Sequence, residues 1–299
     1  MCRFKLFNFV KHYNCNRQPT AMRRLLLISV IIFTVVAARA QIISQSPSEV
    51  IDTDSVRKAF DNSPFFGLYK DNYFIFGPSV GPKATKANTN VKFQISVAQR
   101  LTKSVLPWHT YLYLFYTQKC FWNVLQKSFP MTDLNFNPGI GLTKPIFVKN
   151  RFIGKLSLIV EHESNGRSHK ASRSWNRISL AANIFIDPTM MIYGKYWIPI
   201  VDGENNRDLL DYYGLYQFGM SYNTLSKRFG ASLILTKRKG WNLNYNTVVE
   251  LSYKLSNNEN QYLFLQFYNG YGEGLLDYNK FHSQLRVGFV IKPVFFSEF

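Results

Sequence analysis

The feature that most constrains the fold is a series of short apolar runs in which apolar and polar side chains alternate. Most of these runs are about 8 to 11 residues long, the length of a tilted transmembrane strand. A period of two residues is typical of strands, because successive side chains point to opposite faces. The twelve runs are residues 73–76, 91–97, 109–118, 133–143, 151–162, 173–186, 190–200, 215–224, 228–237, 245–255, 261–268 and 281–291.

The number and composition of these runs favour a membrane barrel. Twelve is an even number, as closed bacterial barrels require. In the last run Leu285, Val287 and Phe289 share one face, whereas Gln284 and Arg286 take the other. A water-soluble β-sandwich shows similar alternation, but it has little use for outward aromatic side chains, and aromatic residues make up 16% of this chain. We therefore predict an all-β fold, a twelve-stranded antiparallel transmembrane β-barrel.

The N-terminal region has the organisation of a secretory signal. Two arginines precede a run of about 12 apolar residues, which is too short to cross a bilayer as a helix. Ala38 and Ala40 then form an Ala-x-Ala cleavage site. We expect residues 1–40 to be removed, residues 41–72 to form a periplasmic segment, and residues 73–299 to form the barrel.

The exported chain is basic and has a single cysteine. Seven of the 36 Lys and Arg residues precede Gln41, which leaves 29 basic and 18 acidic residues, a net charge of +11. Only Cys120 remains, so no intrachain disulfide can form. An exported basic surface favours membrane phospholipids or lipopolysaccharide as partners rather than nucleic acid. Solvated loop charge explains most of these residues. The C-terminal Phe299 is typical of outer-membrane barrels.

The residues with catalytic potential lie in the segment 160–177. His162 and Ser164 are two residues apart at the end of an apolar run, so they share a face if the run is a strand. A hairpin centred near His169 would put Asn176 opposite His162, roughly 5 Å away. A nucleophile, a base and an orienting group would then lie on one surface. From spacing alone, a loop or rim role for each residue is the simpler interpretation.

The identities of the residues in this segment are more informative than their spacing. His162-Glu-Ser-Asn-Gly-Arg-Ser168, followed by Ser172-Arg-Ser-Trp-Asn-Arg177, closely resembles the active-site hairpin of the bacterial outer membrane phospholipase A family. The resemblance implies a twelve-stranded outer-membrane barrel, active as a homodimer, that cleaves phospholipids and lysophospholipids with calcium at a lipid-facing site. Further matching stretches, in the order of the family, are residues 91–98, 116–122, 135–138, 212–217 and 268–278.

The resemblance assigns roles residue by residue. Ser164 matches the nucleophile, His162 the general base and Asn176 the residue that orients the imidazole. The backbone N–H of Gly166 matches a donor to the oxyanion. Gln118 matches a polar residue that implies contact between the two subunits; a lumen-facing polar residue is the alternative interpretation.

The calcium ligands also come from the resemblance. It implies the backbone carbonyl of Arg167, the hydroxyl of Ser172 and a backbone oxygen of Ser128 from the partner subunit. The segment 128–130 reads Ser-Phe-Pro where the family has Ser-Pro-Phe. His169 stands where the best-known members have an acidic ligand. Loss of that charged oxygen should weaken calcium binding outside the dimer, because calcium prefers six to eight oxygen ligands.

Loop lengths predict how the barrel is oriented. With both chain ends in the periplasm, the connections after odd-numbered strands face outside and should be longer, so the Ser164 hairpin opens to the exterior. We predict a calcium-dependent outer-membrane phospholipase that clears phospholipids misplaced in the outer leaflet. The main alternative is a non-catalytic barrel, either porin-like or an inactive family member. A third is a soluble secreted β-protein that binds acidic ligands.

Overall fold

The protein is represented by a computed structural model that describes residues 53–148, 151–200, 204–256 and 260–293. The predicted signal peptide and the terminal Phe299 lie outside the described residues. In this part of the chain, no helix is both long enough and apolar enough to cross a membrane.

Twelve antiparallel strands close into a barrel. Each strand pairs with its neighbours in the chain, and the last strand pairs with the first, Ile291 lying opposite Asn72. The twelve predicted runs correspond one to one to these strands, so the predicted twelve-stranded antiparallel barrel is confirmed. The strands are β2 (Asn72–Pro78), β3 (Thr89–Arg100), β4 (Tyr111–Trp122), β5 (Met131–Val148), β6 (Arg151–Ser164), β7 (Ser174–Phe185), β8 (Met190–Ile200), β9 (Tyr216–Asn223), β10 (Phe229–Lys237), β11 (Tyr245–Lys254), β12 (Gln261–Gly270) and β13 (His282–Ile291).

A helix, α1 (Thr53–Asn62), and a short strand, β1 (Phe66–Leu68), precede the barrel. The β1 strand pairs with the end of β3 beyond the part that β2 covers. The buried guanidinium of Arg100 donates hydrogen bonds to the carbonyls of Asp61 and Ser63 at 3.0 and 2.8 Å. It thereby satisfies acceptors at the end of α1, where carbonyls have no partner within the helix. The predicted boundary at residue 72 stays a prediction.

The side chains of the strands alternate between the outside and the lumen. On β13, Val287 and Phe289 are exposed, whereas Arg286 and Gln284 are buried inside. This is the predicted pattern. An apolar outer wall and a polar interior suit a strand that faces hydrocarbon on one side only.

The interior is crossed by ion pairs. Glu273 lies 3.1 Å from the Lys92 ammonium and 2.6 Å from the Arg286 guanidinium. A polar cavity of about 280 Å³ remains beside them. Leu275 packs against Leu209 at one mouth of the barrel. Side chains therefore occupy part of the described interior.

The connections at the two ends differ in length. We call the end with the longer connections the long-loop end, and Leu209 lies there in the short helix α2 (Leu209–Tyr213). At the other end the connection 101–110 is long as well, which agrees with the long gap between the predicted runs 91–97 and 109–118. The described connections of the long-loop end include residues 79–88, 123–130, 165–173, 238–244 and 271–281.

Candidate active site

The hairpin of β6 and β7 brings His162 and Asn176 together. The two strands pair in register from Gly154 and Ile184 up to Ser164 and Ser174, which places His162 directly opposite Asn176. The His162 Nδ1 atom lies 2.8 Å from Asn176 Oδ1, within hydrogen-bonding distance. The hairpin register predicted from the sequence is therefore present in the structure, whereas the catalytic roles stay predictions.

The alternation along β6 sends these side chains to the outer wall. Val160 is exposed and His162 and Ser164 are half-buried, whereas Glu161 and Glu163 between them are buried. Ser164 thus lies on the same lipid-facing surface as His162, two residues further along the strand. A base and a hydroxyl share one face because the strand has a period of two.

A proline and an asparagine on the neighbouring strand shape the backbone at His162. The regular pairing of β5 with β6 is interrupted between Phe136 and Gly139, where Pro138 has no N–H to donate. The side chain of Asn137 takes the place of the missing N–H: Asn137 Nδ2 donates to the carbonyl of His162 at 2.7 Å. The carbonyl behind the imidazole is therefore satisfied by a side chain rather than by the ladder.

An ion cluster holds the inner side of the same hairpin. Arg177 donates to Glu161 and Glu163, each at 2.9 Å, and Trp175 Nε1 donates to Glu163 at 3.2 Å. Lys195 from β8 lies 2.7 Å from the Glu161 carboxylate. Slipping β6 by one residue would move these carboxylates into the lipid, so the cluster favours the register that pairs His162 with Asn176.

The tip of the hairpin is built around a buried asparagine. Asn165 Nδ2 donates to the carbonyl of Ala171 at 2.8 Å, and its Oδ1 accepts from the backbone N–H groups of Arg173 and Arg167 at 3.0 and 3.3 Å. Gly166 has a φ of 62°, a conformation that glycine adopts without strain. The oxyanion role of its N–H stays a prediction.

The predicted calcium ligands of this chain are neutral oxygens. Within the described residues, neither the Ser172 hydroxyl nor the Arg167 carbonyl accepts a hydrogen bond, so both oxygens remain available. No cluster of three or more His, Cys, Asp and Glu side chains that could hold a metal occurs in this part of the chain. Two neutral oxygens are of the type that calcium accepts, but further ligands are needed. Ser128 is exposed in the connection 123–130, at the same end of the barrel.

Gln118 faces outward, which excludes the lumen-facing interpretation. On β4 the inward side chains include Tyr113 and Phe115, and Gln118 lies on the opposite face with Tyr116 and Cys120. The Tyr116 hydroxyl donates to Gln118 Oε1 at 3.0 Å, and Gln118 Nε2 lies 3.4 Å from Cys120 Sγ. The contact with a second subunit stays a prediction.

The inner ion cluster, Asn137 and Asn165 did not emerge from the sequence analysis. The alternation of side chains along β6 and β7 could have indicated part of the cluster. Glu161, Glu163 and Arg177 occupy the positions between the outward-facing residues, so they point inward together. The roles of Asn137 and Asn165 depend on contacts between strands and within the tip that carry no sequence signal.

Fold and site together define a class of protein. A closed twelve-stranded barrel with an apolar outer wall is an outer-membrane β-barrel, and this one carries polar side chains in hydrogen-bonding contact on its lipid-facing wall. Comparison with known proteins shows the family within this class. The model of the phospholipase A1 family matches residues 65–291. The chain belongs to the phospholipase A1 family and is an outer-membrane phospholipase, an ester hydrolase.

Individual relatives agree with this assignment. The phospholipase A1 of Salmonella typhimurium is 33% identical over 69% of this chain and 70% of its own length. The solved outer membrane phospholipase A from Escherichia coli superposes with a TM-score of 0.68 at 26% identity and covers 77% of this chain and 99% of its own. A Salmonella typhi outer membrane phospholipase, solved as a dimer with bound calcium, gives a TM-score of 0.66 at 28% identity, covering 75% and 91%.

Proposed function

We propose that this chain hydrolyses the acyl esters of glycerophospholipids and lysophospholipids, with Ser164 as nucleophile, His162 as general base and Asn176 as the residue that orients the imidazole. The observation that carries the proposal is the 2.8 Å contact between His162 Nδ1 and Asn176 Oδ1 on the face that also bears Ser164.

The contact with Asn176 selects the tautomer of His162. A carbonyl oxygen can only accept, so the proton of the neutral imidazole resides on Nδ1 and the Nε2 lone pair stays free. That lone pair takes the proton of the Ser164 hydroxyl during attack. Asn176 carries no charge and does not neutralise the imidazolium as an aspartate would.

The reaction then runs through an acyl-enzyme. Ser164 Oγ forms a bond to the ester carbonyl carbon, and collapse of the tetrahedral adduct breaks the ester bond. His162 returns its proton to the departing glycerol oxygen. Water, deprotonated by His162, next attacks the acyl-serine, and the fatty acid leaves as Ser164 recovers its proton.

Negative charge on the carbonyl oxygen needs hydrogen-bond donors nearby. We assign this role to the backbone N–H of Gly166, at the start of the tip. Calcium, when bound by the Arg167 carbonyl, the Ser172 hydroxyl and Ser128 of the partner subunit, supplies further positive charge for the carbonyl oxygen. We infer that the chain is active as a homodimer, and the calcium-bound dimer of the Salmonella typhi relative supports this inference.

The outer wall below the site suits acyl chains. Leu156, Leu158 and Val160 are 38%, 49% and 51% exposed along the outward face of β6, and the polar pair follows in the direction of the tip. A phospholipid with its tails against these residues presents its ester bonds to Ser164. We infer that the long-loop end faces outside, which places the site in the outer leaflet.

Hydrolysis by refolded protein in detergent micelles tests the proposal. We expect fatty acid release that needs calcium, disappears in Ser164→Ala and persists in Ser168→Ala, a matched serine of the exposed tip. Release that survives chelation would remove calcium from the proposal. A folded barrel that releases no fatty acid at any calcium concentration would favour the non-catalytic alternative.

A further inference from the structure

The hairpin tip places fixed positive charge directly beyond the catalytic pair. From Ser164 to Trp175 the sequence contains Arg167, His169, Lys170 and Arg173 and no acidic residue. A phospholipid whose ester lies at Ser164 and whose tails lie on the apolar wall must extend its phosphate towards this tip. The order along the hairpin, apolar then polar then basic, follows the order of tail, ester and phosphate in the lipid.

Hydrogen bonds brace the backbone of the tip, so the positions from which its basic side chains extend are held relative to Ser164. The amide of Asn165 ties its two sides together from within. From outside, Asn205 Nδ2 donates to the carbonyl of His169 at 3.0 Å. A preorganised group binds more tightly because less conformational entropy is lost.

The basic side chains of the tip have different tasks. Arg167 donates to the carbonyl of Thr132, and Arg173 donates to the carbonyls of Lys170 and Ser172. Both arginines are therefore used to hold the structure. Lys170 is exposed, and its ammonium has no partner among the described residues, which leaves it available to a ligand.

The neighbouring loops do not cancel this charge. Lys127 and Arg207 are exposed on the connections that flank the hairpin. The acidic residues described on the second connection are Glu204 and Asp208, both exposed, and Asp211, which pairs with Lys239 at 2.7 Å. Within the described residues of these loops and the tip, positive charge is in excess.

We propose that the tip selects glycerophospholipids whose headgroup carries net negative charge, with Lys170 as the specificity-determining residue. This inference rests on the proposed esterase function and adds its substrate class. A zwitterionic headgroup offsets its phosphate with its own ammonium, so it gains less from Lys170. One lysine near a membrane surface contributes about a five-fold preference for an anionic lipid.

The test compares two substrates of equal acyl composition, phosphatidylglycerol and phosphatidylethanolamine, in neutral detergent at one calcium concentration. For the wild type, we expect kcat/KM to be higher on phosphatidylglycerol. In Lys170→Gln the ratio of the two kcat/KM values should fall about five-fold, mainly through KM. Lys103→Gln, an exposed lysine at the other end of the barrel, should keep the wild-type ratio. A ratio that is equal in wild type and Lys170→Gln, or that falls equally in Lys103→Gln, overturns the inference.

Binding separates this inference from the esterase proposal. Ether-linked analogues of both lipids cannot be hydrolysed, and their affinity for the wild-type protein and Lys170→Gln can be measured by calorimetry. If no ester is cleaved but the phosphatidylglycerol analogue binds more weakly to Lys170→Gln, the esterase proposal fails and headgroup recognition stands. If Lys170→Gln weakens binding of lipid A and not of the phosphatidylglycerol analogue, the tip binds lipopolysaccharide phosphates and the substrate assignment is wrong.

Discussion

Asn176 Oδ1 lies 2.8 Å from His162 Nδ1, and the two residues are cross-strand neighbours in the β6–β7 hairpin on the outer wall of the barrel. The hydrogen bond gains strength when the imidazole becomes charged, and a bond to a charged group contributes about 1.5–3 kcal/mol. We predict that Asn176→Ala lowers kcat about 10- to 100-fold. His162→Ala should lose more, because the base itself is removed. Steady-state kinetics on one substrate measures both, and equal kcat for Asn176→Ala and wild type would contradict the orienting role.

Gly166 tests the tip of the active site. Its φ of 62° disfavours other residues, and an added Cβ would lie 2.8 Å from the Phe136 ring. We expect Gly166→Ala to displace the donor for the oxyanion and to lower kcat by about 100-fold or more, the loss typical of such a donor. Gly81→Ala is the control, since it also has a positive φ at the long-loop end but has open space around it. Normal kcat in Gly166→Ala would exclude this N–H from the mechanism.

The inner ion cluster should matter for stability far more than a surface pair does. Arg177→Met leaves Glu161 and Glu163 buried with less compensating charge, a change that costs about 3–5 kcal/mol. The matched control is Lys239→Met, because Lys239 and Asp211 form a pair at 2.7 Å whose side chains are 71% and 43% exposed. Such a pair contributes less than about 1 kcal/mol. Urea unfolding of the refolded barrels gives both values, and similar losses would show that the cluster is dispensable.

The environment of Glu273 should make the stability of the barrel sensitive to acid. Burial raises the pKa of its carboxyl, but Arg286 and Lys92 outweigh burial and lower the pKa from 4.5 to about 2. A carboxyl whose pKa is lowered by folding stabilises the folded state at every pH above its pKa in the unfolded state. This contribution to the free energy of unfolding, on the order of 3 kcal/mol, is lost as the pH falls from about 5 to about 2. We expect thermal unfolding to show this loss in the wild type. The loss should shrink in Glu273→Gln and remain in Glu204→Gln, which changes an exposed carboxylate. If Glu273→Gln lost as much stability at low pH as the wild type, other groups would be responsible for the acid sensitivity.

Gln118 predicts a contact between subunits. Its amide faces lipid, where unpaired polar groups are costly, and its bonds to Tyr116 and Cys120 leave one N–H and one lone pair unused. We expect the wild type to dimerise when calcium is added, and we expect Gln118→Leu to lower that dimer fraction in sedimentation experiments in detergent. Gln99→Leu replaces another outward glutamine, on β3, and should leave the dimer unchanged. Equal dimer fractions in wild type and Gln118→Leu would contradict the contact.

Much of the architecture follows from local pattern. Alternation within each run determines which side chains face lipid, and the hairpin then determines that His162 meets Asn176; both rest on contacts close in sequence. Gln118 shows the limit of this reasoning, because the sequence left both of its possible faces open. Its face depends on whether Tyr113 and Phe115 lie inside or outside, and large aromatic side chains suit both the lumen and the lipid interface.

Contacts between distant segments could not be predicted in the same way. Glu273 reaches Lys92 across the lumen although 181 residues separate them, and no periodicity encodes such a pairing. Asn137 acts on His162 only because Pro138 interrupts the ladder between two particular strands. These contacts follow from the closed barrel and appear once its register is known.

Covalent labelling is the sharpest test of Ser164 as the nucleophile. A fluorophosphonate forms a stable bond only with a serine that has been activated as a nucleophile, and peptide mass spectrometry locates the adduct. We predict one adduct on Ser164 that forms more slowly in Asn176→Ala and does not form in His162→Ala. An adduct on another residue, or labelling of Ser164 at the same rate without His162, would show that His162 does not activate Ser164.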